Sequence, residues 1–165
     1  MSKAAARAGT PATQQLARAG IAFALHPYDY DAAHDSHHKG LDAAEALGQP
    51  VGRVFKTLMV EIDGKPACTV IPVAQSLSMK RVAAHFGVKA ARMMPPEAAE
   101  RLTGYHVGGI SPFGQKRRCP VALDASARGQ EAVFINAGKR GLLLSLAPED
   151  AAAALNARFA PLCAD

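Results

Sequence analysis

Residues 54–73, VFKTLMVEIDGKPACTVIPV, contain two β-rich runs, Val54 to Ile62 and Pro66 to Val73, joined at Asp63-Gly64. Asp-Gly between apolar, β-branched runs predicts a hairpin, because both residues accept the positive φ of a tight turn. Side chains alternate along a strand, so Val54, Lys56, Leu58, Val60 and Ile62 share one face, and Phe55, Thr57, Met59 and Glu61 share the other. Lys56 is therefore a cation on the more apolar face. Removing an unpaired ammonium from water is costly, so this lysine must be paired, carry its charge to the rim along its apolar stem, or meet an anionic ligand.

Outward from the hairpin, Thr10-Pro11 is an N-cap and first-turn pair, and Gly20 ends the short helix it opens. Ile21 to His26 reads as a strand, and the polar, histidine-rich stretch Asp29 to Lys39 as a surface excursion before a helix from Leu41 to Leu47. On the C-terminal side, Met79 to Phe86 has helical spacing with Gly87 as terminator. A short strand at Ala91 to Met94 then meets Pro95-Pro96, which opens a helix from Glu97 to Leu102. The segment GYHVGGISPFG, residues 104–114, is too punctuated by Gly and Pro to be anything but a loop. Strands at Val121 to Asp124, Ala132 to Asn136 and Leu142 to Leu146 follow, and Pro148 starts a closing helix through Phe159. There is no repeat and no dividing linker. The expectation is a flexible basic N-terminus over residues 1–9 and one α/β (α+β) domain over 10–165, built on a mixed sheet.

The 165 residues, 49% hydrophobic and 20% charged, suit one folded domain and exclude a disordered or low-complexity chain. No apolar run approaches bilayer length, and Met1 to Thr10 has no apolar core of a leader, so no membrane association is expected. Three cysteines without a CxxC pair fit neither a disulfide framework nor a four-thiolate zinc site, and point to a reducing cytoplasm. A net charge of +5 allows a polyanionic partner such as nucleic acid, or simply a mixed surface.

Within the loop, Val107-Gly108-Gly109-Ile110-Ser111-Pro112 matches neither the P-loop nor the dinucleotide fingerprint. Its paired glycines either turn the N–H groups of a close-approaching backbone onto an anion or polarised carbonyl, or make a structural turn. Lys116-Arg117-Arg118 and Lys139-Arg140 flank predicted strands and suit phosphate contacts or plain solvation. Tyr28 and Tyr105 are candidates for base stacking or for packing. His34, His37 and His38, with Asp29, Asp31 and Asp35, lack any metal-ligand spacing, so no metal and no cofactor is expected. Ser111 has no His and Asp partners for a triad, and Cys68 falls within a core strand.

Four stretches in this order carry a resemblance: His26-Pro27-Tyr28, Val54-Phe55-Lys56-Thr57-Leu58, TGYHVGGISPFGQK at 103–116, and Gly138-Lys139-Arg140-Gly141-Leu142. From about Thr10 to Phe159 the chain resembles the YbaK/prolyl-tRNA-synthetase-associated editing-domain family, most of all its free-standing bacterial members that deacylate Cys-tRNA(Pro). The resemblance implies a barrel-like mixed sheet surrounded by helices, and a cleft for the 3′ aminoacyl end of a mischarged tRNA. It implies Lys56, Gly108 and Gly109 as catalytic, and Tyr28, Thr57, Ser111, Pro112, Lys139 and Arg140 as substrate-binding. Prolyl-tRNA synthetase is an implied partner. The implied chemistry is ester cleavage assisted by the substrate's thiol, formally a lyase reaction if a thiolactone forms. Deacylation of Ala- or Ser-tRNA, and a non-catalytic tRNA- or nucleotide-binding module, are the alternatives. Where such members often carry Asp after Gly-Lys-Arg-Gly-Leu, this chain has Leu143, and its 29–40 loop also departs from them.

Overall fold

The computed structural model describes residues 9–30 and 39–165. Residues 1–8 of the expected flexible N-terminus (1–9), and His34, His37 and His38 of the histidine-rich excursion, lie outside the described residues.

The hairpin forms as the sequence predicts. Strands β2 (Phe55–Ile62) and β3 (Lys65–Pro72) pair antiparallel from Phe55 opposite Pro72 to Ile62 opposite Lys65. Asp63 and Gly64 make the two-residue turn at φ 47° and 82°, the left-handed pair that matches strand twist. The Asp63 carboxylate accepts from the Lys89 and Ala90 N–H groups at 3.1 and 3.0 Å, tying the turn to the next segment.

Helix α1 (Pro11–Arg18) opens on a reciprocal cap in which the Thr10 and Thr13 hydroxyls each accept the other's N–H at 3.1 Å. Strand β1 (Ala24–Pro27) and helix α2 (Lys39–Ala46) follow. After the hairpin come α3 (Met79–Phe86), β4 (Ala91–Met93), α4 (Pro96–Thr103), β5 (Val121–Asp124), β6 (Val133–Lys139), β7 (Leu142–Leu146), α5 (Pro148–Leu155) and β8 (Arg158–Ala160). The strands form a five-stranded sheet, β4-β2-β3-β5-β8, and a three-stranded antiparallel sheet, β1-β7-β6. The described residues form these two sheets and no closed barrel.

Both faces of the hairpin are covered, which is why its strands read as nearly continuous apolar runs. Phe55, Met59, Cys68 and Val70 meet Ile135 and Leu144 of the smaller sheet, with Leu16 of α1, in the main core. Val60, Ile62, Ala67 and Ile71 turn the other way, onto Val82 of α3 and Leu162.

One element differs from the sequence reading. The closing helix ends at Leu155, where Asn156 takes the left-handed cap at φ 50°, and residues 158–160 pair parallel with β5 as β8. Asn is one of the few residues that accept this conformation, so the stop signal is local, while the strand after it depends on a partner distant in sequence.

Candidate functional site

Strand β4 covers the edge of β2 only over Val60–Ile62, extended by one bond from the Met94 N–H to the Met59 carbonyl at 3.1 Å. At its other end β2 is approached by the smaller sheet, where Val54 bridges Phe134. Between these points no strand among the described residues pairs with the edge of β2, and a cleft of about 410 Å³ opens there. Its wall includes Tyr28, Tyr30, Lys56, Thr57, Gly108, Asn136 and Leu143 together with Phe55, Met59, Met94 and Ile110.

The register sets what this edge offers. The Val73 N–H donates to the Val54 carbonyl at 2.9 Å, so Val54, Lys56 and Leu58 direct their main-chain groups at β3. The N–H and C=O of Thr57 consequently face the gap. The Thr57 hydroxyl oxygen is buried and has no hydrogen-bond partner among the described residues, at a cost of about 1–3 kcal/mol.

Lys56 is the single charged side chain among the described residues of the wall. It is half-buried, and burial holds its ammonium below the usual lysine range, with the neighbouring Cys163 thiol pulling the other way. No carboxylate forms an ion pair with it among the described residues. A depressed lysine pKa means that the folded chain binds the proton more weakly than the unfolded one. Stability therefore rises with pH from that lowered pKa up to the ordinary value. Lys56→Met, which removes the charge and keeps the stem, should melt at or above the wild-type Tm while losing activity. A clearly lower Tm would show that the charge supports the fold.

The loop that shares the cleft wall with Lys56 is held from three sides. The Glu100 carboxylate accepts the Val107 N–H at 2.9 Å, Arg140 Nε donates to the Val107 carbonyl at 2.9 Å, and Asn136 Nδ2 donates to the Gly108 carbonyl at 3.3 Å. Asn136 is itself fixed, since its Oδ1 accepts from the Gly138 and Lys139 N–H groups at 2.6 and 3.1 Å. The bond from Val107 holds the exposed Glu100 carboxyl below the usual carboxylate range. Glu100→Ala should therefore lower any activity of the cleft about tenfold by freeing the loop, with Glu100→Gln restoring most of it because the amide oxygen still accepts. Equal losses in the two variants, measured as kcat/KM, would contradict a positioning role.

Of the residues singled out in the sequence, Tyr28, Lys56, Thr57 and Gly108 meet in the cleft. The other five stand outside its wall. Gly109 is buried, its N–H donates to the His106 carbonyl at 2.8 Å, and a Cβ there would lie 2.9 Å from the Arg140 main-chain nitrogen. Packing against the Lys139-Arg140 turn by itself requires a glycine here. Ser111 is fully buried with its hydroxyl accepting the Phe113 N–H at 3.2 Å, and Pro112 borders a different groove. Lys139 and Arg140 are exposed on the β6–β7 turn, where Arg140 reaches Val107 and lies over the Tyr30 ring, its guanidinium carbon 5.7 Å from the ring centroid. Tyr105, a stacking candidate, is buried with its hydroxyl donating to the Phe113 carbonyl at 2.6 Å.

Tyr30, Glu100 and Asn136 are not apparent from the sequence alone. Only Asn136 has a local signature, the Asn-x-Gly of an Asx turn. Glu100 belongs to the polar face of a helix, and only the tertiary fold brings it to Val107.

Comparison with known proteins adds the following. Residues 34–154 match the model of a family described as an aminoacyl-tRNA editing domain. Over 140 residues the chain is 39% identical to EbsC of Enterococcus faecalis, covering 82% of this chain and 85% of that protein; its name assigns it, provisionally, the deacylation of Cys-tRNA(Pro) and Cys-tRNA(Cys). YwhH of Bacillus subtilis, an uncharacterized protein, is 30% identical over 109 residues, covering 66% of this chain and 69% of its own. A solved structure described, provisionally, as a trans-editing enzyme for prolyl-tRNA synthetase superposes with a TM-score of 0.81 at 23% identity, over 100% of this chain and 99% of that one, a likeness of fold.

Proposed function

The chain belongs to the aminoacyl-tRNA editing-domain family, and we propose that it is a trans-acting deacylase that removes cysteine from Cys-tRNA(Pro) in the cleft beside Lys56. The observation that carries this reading is an ammonium that, among the described residues, has no ion-pair partner and is the single charge of the wall, beside a main-chain edge that no described strand pairs. An aminoacyl ester supplies the complement. Its carbonyl and ribose oxygens meet the cation, and its α-amino group meets the Thr57 carbonyl. That carbonyl takes the place of the carboxylate absent at Leu143, which is buried in the cleft wall.

The substrate's Sγ attacks its own carbonyl carbon, the bond from that carbon to the ribose oxygen breaks, and the thiol proton ends on the ribose hydroxyl. The acyl group leaves as a thiolactone that water then opens. The cleft's contribution is to hold thiol and carbonyl in an attack geometry and to stabilise the developing oxyanion. Lys56 and the Gly108 N–H serve that charge, while the Gly109 N–H is already engaged. Tyr28 and Thr57 shape the space for a small side chain.

The protein's own thiols are unsuited to act as nucleophiles. Cys68 is fully buried, burial raises Cys119 to about 11, and burial with the nearby Asp124 raises Cys163 to about 12. The thiolate is the reactive form, so iodoacetamide at pH 7 should leave deacylation intact. Loss of activity in step with alkylation would implicate a protein cysteine.

The proposal is tested by following ester loss from Cys-, Ala- and Ser-tRNA(Pro) in parallel with the wild-type protein. Cysteine should be lost fastest. Preferential loss of alanine or serine would keep the site and overturn its specificity, and binding without loss of any ester would make the chain a tRNA-binding module.

A further inference from the structure

Basic side chains converge on a second surface, outside the cleft. The tract Lys116-Arg117-Arg118 leaves the glycine loop and is pinned to the end of α4, where the Lys116 and Arg117 N–H groups donate to the Thr103 and Leu102 carbonyls at 2.9 and 3.1 Å. Lys116 and Arg117, with Arg101, border a groove of about 460 Å³ whose wall includes Met94, and Met94 also lines the cleft. The one carboxylate on that wall, Glu61, is already paired with Arg92 at 3.3 Å. Arg118 points into the next groove, of about 690 Å³, together with Arg18 of α1 and Arg158 of β8, and no acidic side chain lines it among the described residues. None of these six basic residues forms an ion pair among the described residues. Four elements distant in sequence thus bring cations to a band of two grooves joined through the Arg117-Arg118 main chain, the first of which shares Met94 with the cleft.

We infer that this band, centred on Lys116, Arg117 and Arg118, is a second RNA contact that grips the phosphate backbone of the tRNA body while its 3′ end occupies the cleft. The identification of RNA as the partner rests on the reading of the cleft as an aminoacyl-tRNA site; the band itself stands on its charge and continuity. Arginine suits the task because its planar fork can bond two phosphate oxygens at once. A main chain anchored to α4 lowers the ordering cost of the contact. An RNA whose terminal ester lies in the cleft can leave it past Met94, which borders both the cleft and the groove of Lys116 and Arg117.

The test is binding of uncharged tRNA by fluorescence anisotropy across a salt series, for wild type, K116A/R117A/R118A, R18A/R158A, and a charge-matched control, R53A/K80A/K89A, whose three cations are exposed and line neither groove nor the cleft. Circular dichroism confirms that each variant folds. The tract variant should bind at least about tenfold more weakly at 0.1 M salt, and the slope of log K against log salt should fall by about 2–3, as expected for three lost phosphate contacts. R18A/R158A should show the same trend, and the control should stay close to wild type. Cleavage of a short charged CCA end should be unchanged in the tract variant, while KM for full-length charged tRNA rises at constant kcat. Wild-type tRNA affinity in the tract variant would overturn the inference. So would an equal loss in the control, or a loss confined to a polyglutamate probe, which would make the band a docking site for an acidic protein. Failure of the deacylase reading would appear separately, as no ester loss by wild type whatever the binding data.

Discussion

Lys56→Ala is expected to lower the rate of Cys-tRNA(Pro) deacylation by about 10²–10³-fold, the cost of removing one preorganised donor to an oxyanion, without loss of the fold. Two features set the size of this effect. Lys56 is the single charge on the described cleft wall, so no second cation compensates for it there. It is also held at a cost, because burial depresses its pKa and no carboxylate among the described residues pairs with it. A residue retained against stability is expected to contribute to binding or chemistry, and its removal should separate the two properties, with activity falling and Tm holding. Lys56→Arg should not rescue fully, since a planar, bulkier guanidinium cannot place its charge where the ammonium lies. Parallel single-turnover rates and melting curves for the three proteins would check this, and full activity in Lys56→Ala would remove the lysine from the mechanism.

Gly109→Ala should have the second-largest effect, by a different physical route. Its backbone does not need the left-handed region, so the cost comes from space alone. The new Cβ would lie 2.9 Å from the Arg140 main-chain nitrogen and 3.0 Å from the Lys139 carbonyl carbon, both of them main-chain atoms. The loop must then back away from the β6–β7 turn and take Gly108 with it. Overpacking of this kind costs about 1–3 kcal/mol, or roughly 2–4 °C of Tm per kcal/mol in a chain of this size. A displacement near 1 Å at the reacting centre costs about 10²-fold in rate. Gly87→Ala is the useful comparison: it is also a glycine, its Cβ would meet nothing within 4 Å, and it ends α3 far from the loop in sequence. It should lose stability through its φ of 69° yet keep its activity per folded molecule. Equal activity losses in the two variants would show that the loop's seat on the turn is not what matters.

How much could be read beforehand depended on how local each signal was. Asp63-Gly64, Thr10-Pro11, Gly87 and Pro95-Pro96 are decided by one or two residues, and the elements they bound are where the sequence places them. The strand at Arg158–Ala160 was hidden because its pairing partner, Val121–Asp124, lies more than thirty residues earlier. The same division runs through the site. Lys56 betrayed itself as a charge within an apolar alternation, and the glycine pair as an unusual loop. Whether each glycine faced a ligand or a neighbouring backbone depended on the Lys139-Arg140 turn beneath it, which no local pattern encodes. Ser111 and Pro112 shared the loop's motif but not its exposure, and the chain buried them. The cleft itself was invisible, because it is a gap between two sheets where β4 stops short of the start of β2.

The most direct test of substrate-thiol cleavage beside Lys56 compares ester loss from Cys-tRNA(Pro) with that from its S-methylated counterpart, using wild type and Lys56→Ala. Methylation leaves the ester and the amino group in place and removes only the attacking thiolate. The expected result is rapid loss of cysteine, with S-methylcysteine at least about 10²-fold slower and Lys56→Ala slow on both. Equal, rapid loss of the two esters by wild type would contradict the substrate-thiol mechanism and assign the attack to water.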